Sequence, residues 1–362
     1  MTVIAPGATV GILGDGQLGR MMALAAAEMG YFVHVFGPEA DSPAAQVSHR
    51  STVAPYSDLA ALEAFAKSVD VVTLEFENIP TETLDYLAAF VPVRPHARLL
   101  EVTQDRLLEK SFINSLGIGT TTFANVDSID ALVGAVARLS APAVLKTRRF
   151  GYDGKGQVKI TGESDLDAVW AEMKNAPSIL EGFVNFRMEI SVIVARSANG
   201  ETAAYVPVEN RHKNHILDIT LAPADISAPL AERAMEIAEK IAVKLDLVGL
   251  LAVEMFVTED NQVLVNELAP RPHNSGHWTI EACATSQFRQ IIRAVCGLPL
   301  GDPARHSNAV MRNLIGDDVE DWEAILKDPA SSLHLYGKRE ARAGRKMGHV
   351  TKLFPLGTKP TA

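Results

Sequence analysis

The stretch VGLLAVEMFVTEDNQVLVNELAPRPHNSGH, residues 248–277, sets two glutamates on either side of a turn. Asp260 and Asn261 tolerate the positive φ that a tight hairpin needs, so the turn centres there. Counting outward pairs Val257 with Leu264, Phe256 with Val265 and Glu254 with Glu267. Directly opposed residues on one face of such a ribbon carry β-carbons roughly 5 Å apart. Two carboxylates held that close among apolar neighbours repel unless one is protonated or a cation lies between them. A hard divalent cation with oxygen ligands relieves the repulsion, Mg²⁺ being the plausible ion, and Asn266 can add a carbonyl oxygen. A different register, with both glutamates in solvent, is the plain alternative.

RPHNSGH follows at once and gathers Arg271, His273, Asn274, Ser275 and His277. Guanidinium and amide donors beside a cation suit a small planar anion, although a structural loop has the same letters. Zinc at His273 or His277 lacks support, because no Cys or His pair stands at ligand spacing. Upstream, LKTRRFGYDGKGQ (145–157) places Lys146 at the end of an apolar strand. Gly151, Gly154 and Gly156 then space a loop that returns into QVKI. No Gly-Lys-Ser/Thr is present, so this is not a Walker loop. A glycine-rich hairpin can instead fold over phosphates, with backbone amides facing them and a lysine neutralising charge. Crowding Lys146, Arg148, Arg149 and Lys155 into one turn is costly without an anion. The competing reading is an ordinary surface turn.

Near the N-terminus, GDGQLGR has the Gly14-x-Gly16-x-x-Gly19 pattern of a dinucleotide loop. A helix N-terminus after a glycine turn is an anion site whatever the anion. The dinucleotide fingerprint also requires an acid ending the second strand. Here VFGPEAD offers Gly37 and Pro38, with Glu39 and Asp41 displaced. A phosphate or small polar ligand, NAD, and tight strand–helix packing all stay open. TLEFENIP (73–80) puts Glu75 at the carboxyl end of a parallel strand, where open α/β sheets bind ligands, followed by Glu77 and Asn78. ILEGFV (179–184) could present edge-strand backbone to a purine, with Glu189 reaching a ribose; taken alone, plain sheet is the stronger reading. His212 and His215 lie in a polar loop without an evident partner. GKREARAGRKMGHV (337–350) collects Lys338, Arg339, Arg342, Arg345 and Lys346, either a solvated face or a phosphate clamp.

These side chains need a scaffold, and the sequence predicts one. Strands at 9–13, 32–36, 70–75 and 91–93 alternate with helices at 17–29, 58–67 and after Pro80, which implies a parallel sheet. A helix over 103–116 ends at Gly117. From 143 the pattern turns to antiparallel pairs: AVLK with QVKI, then SILEGFV, EISVIVAR and TAAYVPVEN. Helix 230–245 turns Leu230, Ala234, Ile237, Ala238, Ile241 and Leu245 to one face. A hairpin spans 248–268, and a helix over about 279–296 stops at Gly297.

With 362 residues the chain can hold two or three domains. The 47% hydrophobic and 22% charged content is that of an ordinary globular protein. Cys283 and Cys296 share one apolar stretch and cannot form a disulfide framework, which fits a reducing cytoplasm. No apolar run reaches the ~20 residues that span a bilayer, and no export signal is evident. The net charge of −10 argues against nucleic acid as a partner, while local basic clusters still allow an anionic substrate.

Taken in order, GQLGRM, EFENIP, KTRRFGYDGKGQ, NELAPRPHNSGHWT and GRKMGH resemble the ATP-grasp ligases. Within them they resemble the 5-(carboxyamino)imidazole ribonucleotide synthetases of bacterial purine biosynthesis. The resemblance runs from about residue 9 to 350. It implies an α/β and α+β chain with a Rossmann-like N-terminal domain (1–100), an ATP-grasp domain (101–300) with a mobile lid at about 120–185, and a small C-terminal domain (301–362). It also implies a reaction: ATP, bicarbonate and 5-aminoimidazole ribonucleotide give the carbamate, ADP and phosphate through carboxyphosphate.

By the same resemblance, Arg106, Lys146 and the loop Gly151, Tyr152, Asp153, Gly154, Lys155, Gly156, Gln157 hold the ATP phosphates. Glu181, Gly182, Phe183 and Val184 meet adenine, Glu189 the ribose, and His212 lies near the nucleotide. Glu254 and Glu267 bind Mg²⁺, with Asn266 beside them. Arg271, His273 and Asn274 position bicarbonate, with Lys155 and Asp153 also counted among the catalytic groups. Gln17, Glu75, Tyr152 and Asp153 contact the ribonucleotide, whose phosphate goes to Lys338, Arg345 and Lys346. A cytoplasmic homodimer is the habit of this family. The rival readings are a formate-using purine transformylase, a biotin-dependent carboxylase, a nicotinamide oxidoreductase, and a nucleotide binder without catalysis.

Overall fold

Apolar runs alternate with amphipathic helices over the first 95 residues, and in the computed structural model they build a parallel sheet. The structure describes residues 3–151 and 154–361. The sheet is ordered Arg50–Val53, Phe32–Gly37, Thr9–Leu13, Val71–Leu74. Val91–Val93 contributes only an isolated bridge, Val72 to Val93, where the sequence suggested a strand. The carboxyl ends of Thr9–Leu13 and Val71–Leu74 point the glycine loop and Glu75 to one side.

A nine-stranded antiparallel sheet forms the centre of the described residues. It runs Val263–Ala269, Gly249–Thr258, Phe186–Arg196, Val208–Lys213, Ile216–Ala222, Asn308–Ile315, Lys346–Phe354, Ser331–Leu335, with Thr202–Ala204 on the flank of Phe186–Arg196. The strands after residue 300 thus extend the same sheet that carries the acidic hairpin. Helix Ala228–Lys244 covers it with Leu230, Ala234, Ile237, Ala238 and Ile241, all buried as the 3.6-residue period requires. Burying each of the three larger side chains there contributes about 1.5–3 kcal/mol.

A third, four-stranded sheet is ordered Phe123–Val126, Ser178–Gly182, Ala143–Thr147, Gln157–Ile160. It has its own small core around Leu132, Leu145, Trp170 and Leu180. Ser178–Gly182 is therefore an interior strand and not the edge strand expected from ILEGFV. Gly182 N–H already donates to Thr122 and Phe183 N–H to Pro142.

The helix expected over 103–116 is Arg106–Ser115, started by Asp105, which takes the N-cap and accepts from Leu107 and Leu108 N–H; a separate helix, Ala97–Thr103, precedes it, and the second long helix is broken by a cap. The segment 279–296 becomes Thr279–Ala282 and Gln287–Val295, with Ser286 capping the second. Cys283 lies between them in extended backbone, so the two cysteines are not on one helix; both are free and buried.

Candidate active site

The hairpin opposes Glu254 to Glu267 by a route different from simple counting. Near the turn the pairs are Val257–Val263, Phe256–Leu264 and Met255–Val265, one residue out of the expected register. A bulge at Asn266 then restores Glu254 to Glu267. The turn holds Asn261 at φ 62°, and Thr258 pairs with Gln262 across it. An inserted residue re-aims side chains, so Asn266 and Glu267 both stand between the buried core positions Val265 and Leu268. Asn266 Oδ1 is buried without a hydrogen-bond partner.

Helix Arg106–Ser115 lies beneath the hairpin and lends it charge. Arg106 Nη1 meets Glu267 Oε2 at 2.9 Å, and Lys110 Nζ donates to Asn266 O at 2.8 Å. Burial opposes ionisation of Glu267, yet Arg106 and Lys146 hold its carboxyl down at about 2. Glu109 turns inward on the same face; burial pushes its carboxyl up to about 8 against the pull of Lys110 and Arg106, and Oε2 accepts from Leu268 N–H. Neither Glu109 nor Lys110 is expected from motifs. The signal was available as charge at i, i+3 and i+4 on the face that ends in the buried Ile113.

Lys146 projects from the third sheet and ion-pairs with Glu181 at 2.7 Å, while Lys110 reaches the other oxygen at 3.3 Å. Burial opposes the charged form of both, lowering Lys146; Lys146 and Lys110 nevertheless keep Glu181 below the usual carboxylate range. The basic crowd in LKTRRFGYDGKGQ is partly answered within the chain. Arg148 clamps Asp105 at 2.7 Å, and Arg149 donates to Gln104 Oε1 at 2.5 Å. Those contacts answer part of the repulsion expected there, Arg148 through a carboxylate and Arg149 through a neutral amide oxygen. Gly154 at φ 78° lies under the His215 ring, where a β-carbon would come within 2.6 Å of His215 Cβ. Tyr152 and Asp153 lie outside the described residues.

A cleft of about 1150 Å³ opens where the three sheets meet. Its walls bring together Gln17, Glu75, Arg106, Lys146, Gly151, Gly154, Lys155, Gln157, Phe183, Glu189, His212, Glu254, Asn266, Glu267, Arg271, His273, Asn274 and Lys346. Gly156, Glu181, Gly182, Val184, Lys338 and Arg345 are not among the residues lining it. Gly156 is turned to Thr147, and Glu181 is buried behind Lys146. Lys338 Nζ donates to Lys346 O at 2.7 Å, and Arg345 donates to Glu340 O at 3.1 Å. Burial, reinforced by Arg345, brings the Lys338 amine down to about 8.

Within the cleft, Glu189 and His212 pair at 2.7 Å; burial disfavours the imidazolium, but the carboxylate prevails and raises His212. Arg271 is held by Glu77 at 2.5 Å. His273 Nε2 faces Glu254 Oε1 at 2.9 Å. Both polar atoms of the Asn274 side chain are buried without partners. Buried amide groups left this way are rare in native proteins.

The glycine loop is already filled. Gly16 N–H donates to Glu75 Oε1 at 2.8 Å, and Gly19 N–H to Oε2 at 3.1 Å. The helix N-terminus that suggested a dinucleotide phosphate holds a carboxylate of its own chain. Gly37, where a ribose-binding acid would stand, is crowded by Asp15, which accepts from Glu39 N–H at 3.0 Å. Desolvation raises Glu75, with the two amides opposing it.

Three families match successive parts of this chain: a ribonucleotide synthetase preATP-grasp domain over residues 7–104, an ATP-grasp domain over 111–288, and a phosphoribosylaminoimidazole carboxylase C-terminal domain over 309–355. The N5-carboxyaminoimidazole ribonucleotide synthase of Brucella melitensis is 51% identical, covering 98% of each chain. The Bacillus subtilis synthase of that name is 47% identical over 96% of this chain and 92% of its own. Among solved structures, an ADP complex of an N5-carboxyaminoimidazole ribonucleotide synthetase superposes with a TM-score of 0.95 at 48% identity, covering 98% and 94%. The Aspergillus clavatus synthase in complex with ADP and 5-aminoimidazole ribonucleotide gives 0.90 at 32% identity, covering 96% and 94%. No helix among the described residues is long and apolar enough to cross a membrane. By sequence along its whole length and by fold, the chain belongs to the ATP-grasp family of N5-carboxyaminoimidazole ribonucleotide synthases.

Proposed function

We propose that this chain carboxylates the exocyclic amine of 5-aminoimidazole ribonucleotide, consuming ATP and bicarbonate and releasing ADP and phosphate. The observation that carries this reading is the content of one cleft. It combines an opposed carboxylate pair, a buried lysine, and a loop with Arg271, His273 and the unpartnered Asn274. Glu75 and Gln17 line the same cleft.

Bicarbonate is a poor electrophile at carbon. Attack of its oxygen on the γ-phosphorus of ATP forms a P–O bond and breaks the β–γ anhydride, which releases ADP. The resulting carboxyphosphate delivers CO₂ to the amine, phosphate leaves, and the amine proton passes to that phosphate. Such an intermediate is short-lived in water, so the loop around Gly151–Gln157 must close over it.

Arg106, Lys146 and Lys155, with the amides of Gly151, Gly154, Gly156 and Gln157, would neutralise and orient the ATP phosphates. Residues from Glu181 to Val184 would border adenine, and Glu189, paired with His212, the ribose. Arg271 and Asn274 would hold bicarbonate through guanidinium and amide donors, with His273 beside them. Gln17 and Glu75 would meet the ribonucleotide, whose phosphate would go to Lys338, Arg345 and Lys346. Glu254, Glu267 and the orphaned carbonyl of Asn266 are the hard oxygen donors a Mg²⁺ ion takes. Bound there, the ion would offset phosphate charge. A homodimer in the cytoplasm is the assembly and place we assign by family habit.

The test is ADP release from ATP, Mg²⁺ and bicarbonate, measured with and without aminoimidazole ribonucleotide. Turnover that requires the ribonucleotide is expected. Equal ADP release without it would leave an ATP-grasp enzyme acting on another amine.

A further inference from the structure

In the strand Phe186–Arg196, Ser191 is a lone hydroxyl in an otherwise apolar buried run, and the reaction outlined above makes no use of it. It belongs to a line of buried polar groups that crosses neighbouring strands of the central sheet. Thr220 Oγ1 donates to Asn210 Oδ1 at 3.1 Å, and Asn210 Nδ2 donates to Ser191 Oγ at 3.0 Å. Ser191 and Ser275 hydroxyls meet at 2.7 Å, and Ser275 Oγ lies 2.8 Å from His273 Nδ1. Thr220, Asn210, Ser191 and Ser275 are all buried.

The direction of this line is fixed at its end. Ser275 backbone N–H also points at His273 Nδ1, 3.3 Å away, the geometry of an accepting nitrogen. Asn210 donates into Ser191 from the far end. Both serine hydroxyls can then point the same way, Ser191 into Ser275 and Ser275 into His273. A neutral imidazole with an accepting Nδ1 has its proton on Nε2. Nε2 is the nitrogen 2.9 Å from Glu254 Oε1.

We propose that Thr220, Asn210, Ser191 and Ser275 form a one-way hydrogen-bond chain that locks His273 as its Nε2–H tautomer, making that side chain a hydrogen-bond donor at the carboxylate end of the cleft. In this arrangement His273 Nε2 is turned to Glu254 as a donor. Ser191 and Ser275 are positioning residues. They act through His273 in the way that partners beyond the first ligands orient an imidazole in metal sites. The kinetic part rests on the proposed carboxylation; the tautomer does not.

Long-range ¹H–¹⁵N correlation on histidine-labelled full-length protein at neutral pH reads the tautomer directly, with His273 assigned as the signal missing from His273→Gln. The expected pattern is a pyridine-like Nδ1 and a pyrrole-like Nε2. A pyrrole-like Nδ1 in the unmodified protein overturns the proposal, and this observation needs no altered chain. In Ser191→Ala the Ser275 hydroxyl loses its donor and can turn. The Nδ1–H form should then appear as a second population beside the Nε2–H form that Ser275 N–H and Glu254 still favour, and kcat should fall severalfold while KM for ATP stays unchanged. A Ser191→Ala protein that keeps the pure Nε2–H pattern confines the effect to Ser275 and sinks the chain. If the tautomer is as stated but ADP release does not depend on ribonucleotide, the lock stands and the assigned reaction falls.

Discussion

The carboxylate of Glu75 rests on the backbone amide of Gly16, at 2.8 Å, and completes the site with Gly19. The glycines therefore serve a side chain of the same protein. A β-carbon on Gly14 or Gly16 would run into Glu75, in the second case 2.9 Å from Oε1.

Gly16→Ala should displace Glu75 from the amides and leave the ATP site intact. The expected result is KM for the ribonucleotide raised on the order of tenfold, one lost charge-assisted hydrogen bond, with KM for ATP unchanged. Steady-state kinetics with each substrate varied in turn decides it. An unchanged ribonucleotide KM removes Glu75 from the substrate site.

Glu267→Gln takes one carboxylate from the hairpin and leaves Arg106 facing a neutral amide in place of its charged partner. Charge stabilisation by a catalytic cation is worth several kcal/mol, so ADP release should fall roughly a hundredfold or more. Activity is measured across a Mg²⁺ titration. Near-normal turnover would mean that the metal binds elsewhere.

Lys338 should give the ribonucleotide step its alkaline limit. Its amine, lowered to about 8 by burial and Arg345, is charged below that pH and neutral above it. The kcat/KM for ribonucleotide, which reports free-enzyme ionisations, should decline toward a tenfold loss per pH unit above about 8. Lys338→Arg should flatten the decline because a guanidinium stays charged. A wild-type profile level through pH 9 contradicts the role given to Lys338.

Glu181→Gln should cost stability more than surface substitutions do. It leaves Lys110, with no exposed surface, and Lys146 without their shared carboxylate. Removing one partner of a buried pair typically costs about 3–5 kcal/mol. A urea unfolding series checks this, and an unmoved midpoint would show the buried lysines to be satisfied by other groups.

How far the sequence reached can be followed residue by residue. The parallel N-terminal strands and the helix Ala228–Lys244 were legible because periodicity is local, whereas the opposition of Glu254 to Glu267 came out as counted only because the bulge at Asn266 offsets a one-residue error at the turn. What was not legible is non-local. Nothing near Gly14–Gly19 reveals that Glu75, over fifty residues on, fills their amides. Asp105 and Gln104 answer Arg148 and Arg149 from another element, so the basic turn read as more exposed to an anion than it is. Ser178–Gly182 looked like an edge because strand order in a sheet is set by distant pairing. Lys110 and Glu109 were legible in principle, as a charged stripe on a buried helix face, and fell outside every motif.

The bulge at Asn266 has a consequence for how this hairpin can vary. Register between the two glutamates is pinned on their own side of the irregularity, so the segment from Met255 round to Val265 is mechanically uncoupled from the acidic pair. Turns of other lengths and letters could close the ribbon without moving either carboxylate. Deleting the one residue at 266 would remove the bulge and leave Glu267 opposite Glu254 in a plain ladder, at the cost of the Asn266 oxygen beside the pair. What the asparagine adds is therefore an oxygen and a local bend beside the two acids, not their opposition.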